Sequence, residues 1–197
     1  MNVLKPSVDF YVAHNVKGIM FQGAYQSLGG ERAAMRSWVI AKLLWDPSRD
    51  VDELTNDFVW GYYQDAAPAI LQYYDLLERT RVKHLSEMMD KRRSYGMDAP
   101  MFSKEFRRLA TGLLDQAEAM ARSDEVRNRV EVAQLPIMYV KLMQGPEVTG
   151  DEYAEVLAKF EEIARRENVV FLREGAPDLG DKLGVWREKQ SAVQEAE

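Results

Sequence analysis

Along most of the chain, apolar positions recur three and four residues apart, the spacing that gathers them on one face of an α-helix. Pro6 to Asn15 fits a short helix ending near Lys17-Gly18. The run "GIMFQGAY", Gly18–Tyr25, breaks the rhythm: short, apolar and bounded by glycines, it predicts a single strand. From Glu31 the helical spacing returns, with Ala34, Met35, Trp38, Val39, Ala41, Leu43 and Leu44 apolar on nearly every side. A helix apolar all round is expected to be buried, and Pro47 must end it. Asp50 reads as the N-cap of the next helix, with Glu53 completing a capping-box-like pair and Val51, Leu54, Phe58 and Tyr62 as the inward stripe. Asp65 then caps a long helix with Pro68 in its first turn and Ile70, Tyr74, Leu77, Leu85 and Met89 on its apolar face.

The polar, glycine- and proline-marked "DKRRSYGMDAP" is the best internal boundary, near residues 91–101. Ser103 caps a helix striped by Phe106, Leu109, Leu113, Ala117 and Met120. Ser123 caps another through Val126, Val130, Ile137, Val140 and Met143, with a kink expected at Pro136. Thr149 and Glu152 form a capping box before Tyr153, Val156, Leu157, Phe160 and Ile163. "NVVFLREG" is strand-like, and the tail from Gly180 reads as a charged, frayed helix. The fold class that follows is mainly α, a multi-helix bundle with a short β remnant. Helix pairs recur, but no side-chain signature repeats at a fixed period.

Composition narrows the chemistry more than the fold. The 197 residues make one domain, or one domain plus an appendage, and 46% hydrophobic with 29% charged residues suffices for a core. A net charge of -6 argues against a nucleic-acid binder, which needs a basic stripe. No apolar run approaches the roughly 20 residues of a membrane span. With no cysteine, disulfides, thiol catalysis and thiolate metal sites are excluded. His14 and His84 are the two histidines, so a histidine metal centre is not expected, and no cofactor is implied. "MNVLKPSVDFYV" lacks the basic start and long apolar run of a signal peptide. That suits a cytoplasmic protein, or a native N-terminus lying upstream.

Dinucleotide, P-loop and nucleophile-elbow patterns are absent from the sequence. "GGER", Gly29–Arg32, reads first as a tight turn and second as an anion cradle at a helix start. A glycosidase needs two carboxylates across a bond, roughly 5–10 Å apart. Asp50, Glu53, Asp65 and Glu152 are better explained as caps, while Asp115, Glu118, Asp124 and Glu125 read as solvated faces. Glu31 alone follows directly on the strand and its loop, where a first-turn acid favouring the helix dipole is the plainer role. Trp38, Trp45, Trp60, Tyr62 and Tyr63 form an aromatic group around Asp46-Pro47 that fits either a sugar platform or, more simply, core. Burial as core predicts that Trp45→Ala costs about 3–5 kcal/mol.

The run Gly18–Leu77 resembles the C-terminal portion of an uncharacterised bacterial family with a glycoside-hydrolase-like barrel, a domain of unknown function, and more distantly the α-glucuronidase-type barrel glycosidases. Ala41, Lys42, Leu43, Trp45, Asp46 and Pro47 carry the resemblance, followed by Asp50, Val51, Asp52, Leu54, Phe58, Gly61, Tyr62 and Tyr63. "FEEIARRENVVFLREG" is similar to that family's closing segment. The resemblance implies that residues 1–30 are the last helix-strand-loop unit of a barrel and 31–197 the helical domain behind it. A whole barrel takes about 250 residues, so its other strands and catalytic acids would lie outside this chain. Gln22, Gly23 and Tyr25 would then line the substrate mouth, at the C-terminal end of the final strand. The implied role is a non-catalytic buttress in a carbohydrate-active protein, partnered by the missing barrel segment or by self-association, and belonging outside the cytoplasm. The alternative is a free-standing helical module that docks a protein, for which the Met-rich "HLSEMM" and "PIMYVKLM" would supply an adaptable surface.

Overall fold

The computed structural model describes residues 3–23, 29–84, 99, 102–172 and 178–194. Its regular structure is helical. In chain order the helices are α1 (Leu4–Ala13), α2 (Ala33–Trp45), α3 (Val51–Tyr63), α4 (Ala67–Lys83), α5 (Lys104–Met120) and α6 (Asp124–Gln144). A one-turn helix at Pro146–Thr149 leads into α7 (Tyr153–Arg166), and α8 (Leu179–Gln194) closes the series. The expected β remnant is absent among the described residues. Residues 16–23 carry no regular structure, and "NVVFLREG" contributes only an isolated antiparallel bridge between Phe171 and Asp178.

Helix starts follow local chemistry where the cap is self-contained. Asp50 accepts from the amides of Asp52 and Glu53 at 2.8 and 2.9 Å. Ser103 accepts from Phe106 N at 3.3 Å, and Ser123 from Val126 N at 3.2 Å. Each such cap satisfies an amide the helix cannot, worth about 1 kcal/mol. Two expected caps fail for tertiary reasons. Asp65 sits in a 3-10 turn before α4 and pairs instead with Arg122 at 3.6 Å. Thr149 donates to the Lys141 carbonyl at 2.8 Å, and Glu152 takes the Lys141 ammonium at 2.9 Å, so no capping box forms before α7.

Helix ends are equally local. Asn15 and Asn168 adopt the left-handed conformation, and the amides after them, of Val16 and Val169, reach back five residues to Tyr11 and Ala164 at 3.0 and 2.8 Å. That closure uses carbonyls a helix end leaves open, and asparagine tolerates the required φ.

Two hydrophobic cores form, and α6 belongs to both. The first gathers α1 to α5 around Val39, Leu43, Leu54, Ile70, Tyr73 and Leu114, with Val126, Val130 and Ile137 from α6. The second gathers Leu135, Met138 and Leu142 of α6 with Leu157, Phe160 and Ile163 of α7 and Leu183 and Trp186 of α8. Helix α6 runs unbroken through Pro136, where the cores part. The boundary expected near 91–101 lies almost wholly outside the described residues.

Packing corrects several expectations. Helix α2 buries one face only, through Met35, Val39 and Leu43, and leaves Leu44 and Trp45 outside. Trp45 is 90% exposed and Trp60 53% exposed, so the aromatic junction is not a buried seam. Trp38 alone of the three packs inward, 5.8 Å from Phe58. The stripe of α5 is turned by one position: Phe106, Ala110, Leu114 and Ala117 are buried, while Leu109 is exposed. Over its described residues the tail is anchored rather than frayed, because Trp186 is wholly buried, edge-on to Phe160 at 5.5 Å. Met138 is buried and Met143 packs on the second core, so "PIMYVKLM" is interior rather than an adaptable surface; "HLSEMM" falls largely outside the described residues.

The two tryptophans therefore exchange roles. Trp186→Ala should destabilise by about 3–5 kcal/mol in denaturant melts, while Trp45→Ala should stay within about 0.5 kcal/mol of the parent. Equal losses in the two variants would contradict the burial described.

Candidate functional site

The densest buried polar grouping is built on Glu31. The loop Gly29–Arg32 delivers it just ahead of α2, with Arg32 in the left-handed conformation at φ 53°. Its carboxylate Oε2 accepts from the Tyr73 hydroxyl at 2.7 Å, tying the loop to the middle of α4. Tyr73 is fully buried. Beside it, Tyr74 and Tyr63 share a hydrogen bond, and the Arg32 guanidinium lies 5.5 Å from the Tyr74 ring centre. Arg129 of α6 donates to the Tyr62 carbonyl at 2.8 Å and stacks 4.3 Å from that ring's centre. Four helices thus meet through directional contacts at one place.

Burial pushes the Glu31 carboxyl above its usual range, against the Tyr73 hydrogen bond and the positive Arg32 and Arg36, which pull it down. Glu31 is not the first-turn acid expected for α2; it precedes the helix and serves α4. Its free side opens on a hollow of about 300 Å³ walled by Leu77, Phe106, Leu135, Ile137, Val140 and Phe160. One acid among apolar walls offers neither the paired carboxylates of glycoside hydrolysis nor a nucleophile with its base. Among the described residues no group of three or more His, Asp or Glu could hold a metal ion. No helix among them is long and apolar enough to cross a membrane.

Gln22 and Gly23 lie in the exposed irregular stretch, away from this hollow, and Tyr25 lies outside the described residues. His14 is exposed just after α1, stacked 3.9 Å from the Phe10 ring with Nδ1 2.8 Å from the Phe10 carbonyl. His84 follows the end of α4. Glu31 was legible in the sequence as the carboxylate after the loop. Tyr73, its partner 42 residues later, was not. No local pattern distinguishes it from the neighbouring Tyr74.

Residues 1–75 match a family model described as a domain of unknown function (DUF4838). That span holds α1 to α3, Glu31, Tyr73 and most of the run from Gly18 to Leu77. Neither the curated proteins nor the solved structures give a match.

The Glu31 account has a pH signature. Because its folded pKa lies above the ordinary 4.5, the folded protein holds a proton that the unfolded chain releases. This group's contribution is therefore fullest below the unfolded value and is lost as pH rises through the folded one. In Glu31→Gln, Tyr73 keeps an acceptor and the loss disappears. Urea melts should show the variant gaining on the parent as pH rises from the ordinary value of 4.5 up through the folded one. A difference that does not change with pH would remove the buried-carboxyl account.

Proposed function

We propose that this chain is the non-catalytic helical part of a carbohydrate-active, glycoside-hydrolase-like protein, buttressing a barrel and its substrate mouth. The observation that carries the reading is the stretch after α1. Residues 16–23 have the apolar content of a strand but no regular structure, and expose Ile19, Phe21 and, at 83%, Met20. Phe10, Val12 and Val16 extend the exposed apolar surface back onto α1. Residues 17–23 make no backbone hydrogen bond to another described residue outside their immediate neighbours. A run of this kind gains by entering a sheet, where its amides are paired and its side chains covered.

Glu31 is the one acid lining the hollow among the described residues, which supports the non-catalytic half of the reading, since hydrolysis of a glycoside needs a second acid in reach. In this role Glu31–Tyr73 is a fastener that fixes the loop after the strand onto α4. Gln22, Gly23 and Tyr25 take the strand end facing the mouth, and the carbohydrate is met through the barrel rather than through the helices.

Two measurements test it. In the isolated chain, amides 17–23 should exchange with solvent quickly, and a hydrophobic dye should bind and be lost on combining Ile19→Ser with Met20→Ser, at an unchanged melting temperature. Strong protection of those amides in a monomer would sink the proposal. Aryl glycosides should be turned over no faster than in buffer, and turnover abolished by Glu31→Gln would make the chain an enzyme.

A further inference from the structure

A second cleft, of about 380 Å³, lies between α5, α6 and α7, but its unpartnered oxygens, on Gln134 and Thr111, are sealed from solvent. The hollow beside Glu31 is different, because its acid is open to it. Glu31 lines the hollow and keeps part of its surface accessible. One carboxyl oxygen, Oε2, is held by the Tyr73 hydroxyl at 2.7 Å, and the other accepts no hydrogen bond from a described residue.

Protein interiors pack as densely as organic crystals and leave few voids larger than a water. A hollow of about 300 Å³ where two cores part is therefore more than a packing defect. It falls at the lower end of the range for small-molecule sites, about 300–1,000 Å³. Among the described residues Glu31 is the one charged group of its lining, and the rest is predominantly apolar. Four wall residues are aromatic, Phe102, Phe106, Tyr139 and Phe160. They favour a guest with a flat ring, since rings pack well edge-on or offset against one another. Glu31 narrows the guest's polar part. A second carboxylate would meet a like charge, and an ammonium would add a third cation to a carboxyl that Arg32 and Arg36 already attend. A hydroxyl both donates and accepts, so it pairs with the free oxygen whether the carboxyl is charged or neutral.

We propose that this hollow binds a small neutral phenol or aryl alcohol, with its ring among the four aromatic side chains and its hydroxyl on the free oxygen of Glu31. Neither the acid nor the walls belong to the strand-like run, so the site stands apart from the barrel reading.

The test titrates 4-methylphenol and, separately, the equally shaped 1,4-dimethylbenzene against the full chain, followed by NMR shifts of the Gly29, Gly30, Leu77 and Ile137 amides. The phenol should bind saturably and about tenfold tighter, because the hydrocarbon leaves the carboxyl oxygen unpaired. Combining Glu31→Met with Tyr73→Phe removes both polar partners at once, so neither is left buried alone. The hollow is then wholly apolar, and the preference should reverse toward the hydrocarbon. Gly29→Leu should abolish binding of both guests. A Cβ there sits 3.6 Å from Val169 and 3.9 Å from Leu135, ordinary contact with two wall residues, so the longer side chain occupies the hollow. No saturable binding of the phenol would overturn the proposal. So would a parent chain that binds the hydrocarbon as tightly, a phenol preference that survives in the double variant, or undiminished binding in Gly29→Leu.

Discussion

The structure depends on one helix serving two cores. Leu135 and Ile137 of α6 are two residues apart, about 200° around the helix, and so point to opposite sides. Leu135 joins the second core and Ile137 the first. Between them Pro136 supplies no amide, so the helix gives up one backbone hydrogen bond where the cores diverge. The hollow beside Glu31 lies at this divergence and is walled from both cores. A helix that must feed two interiors cannot carry a single apolar stripe. That is why the buried positions of α6 spread over more than one face, while those of α7 keep to one.

Apolar packing sets how closely the helices approach but is poor at fixing their register. Directional contacts do that here. Tyr73 to Glu31 pins α4 to the start of α2, and Arg129 to the Tyr62 carbonyl pins α6 to the end of α3. Lys159 to Glu118 and Gln134 to Glu118 join α7 and α6 to one carboxylate of α5. Burial alone would push Glu118 up, but these two hydrogen bonds, with the positive charges of Lys159 and Arg127, hold the carboxyl below its usual range. Each contact is buried or half-buried, where breaking one partner leaves the other unsatisfied. The same reasoning separates them from surface pairs such as Arg79–Asp75, which water competes with and which specify little.

What the sequence revealed followed the range of the interaction. Asp50, Ser103 and Ser123 were readable as caps because acceptor and amide lie within three residues. Thr149 and Glu152 matched the same local pattern and failed, because Lys141 from α6 claims both the Thr149 hydroxyl, through its carbonyl, and the Glu152 carboxylate. The tryptophans show the same limit from the apolar side. Three near Asp46-Pro47 suggested a core, yet the wholly buried one is Trp186, set among charged residues in the tail. Periodicity reports that a face is apolar; only the tertiary partners decide which face is covered. Glu31 was marked by its place after a loop, whereas its value depends on a tyrosine on another helix.

The strand-like run and the polar cleft obey one rule at two scales. At residues 19–21 apolar side chains stand in water, and in the cleft polar oxygens stand away from it. Both are departures from the pairing that the two cores otherwise achieve, and neither is explained by the helices that flank it. They also differ in sign. Under the proposed reading the run is covered and backbone-paired by a sheet, so its complement there is another folded body. The oxygens of Gln134 and Thr111 instead lie sealed behind the cleft wall. The run lies within the family-matched residues 1–75 and the cleft entirely beyond them.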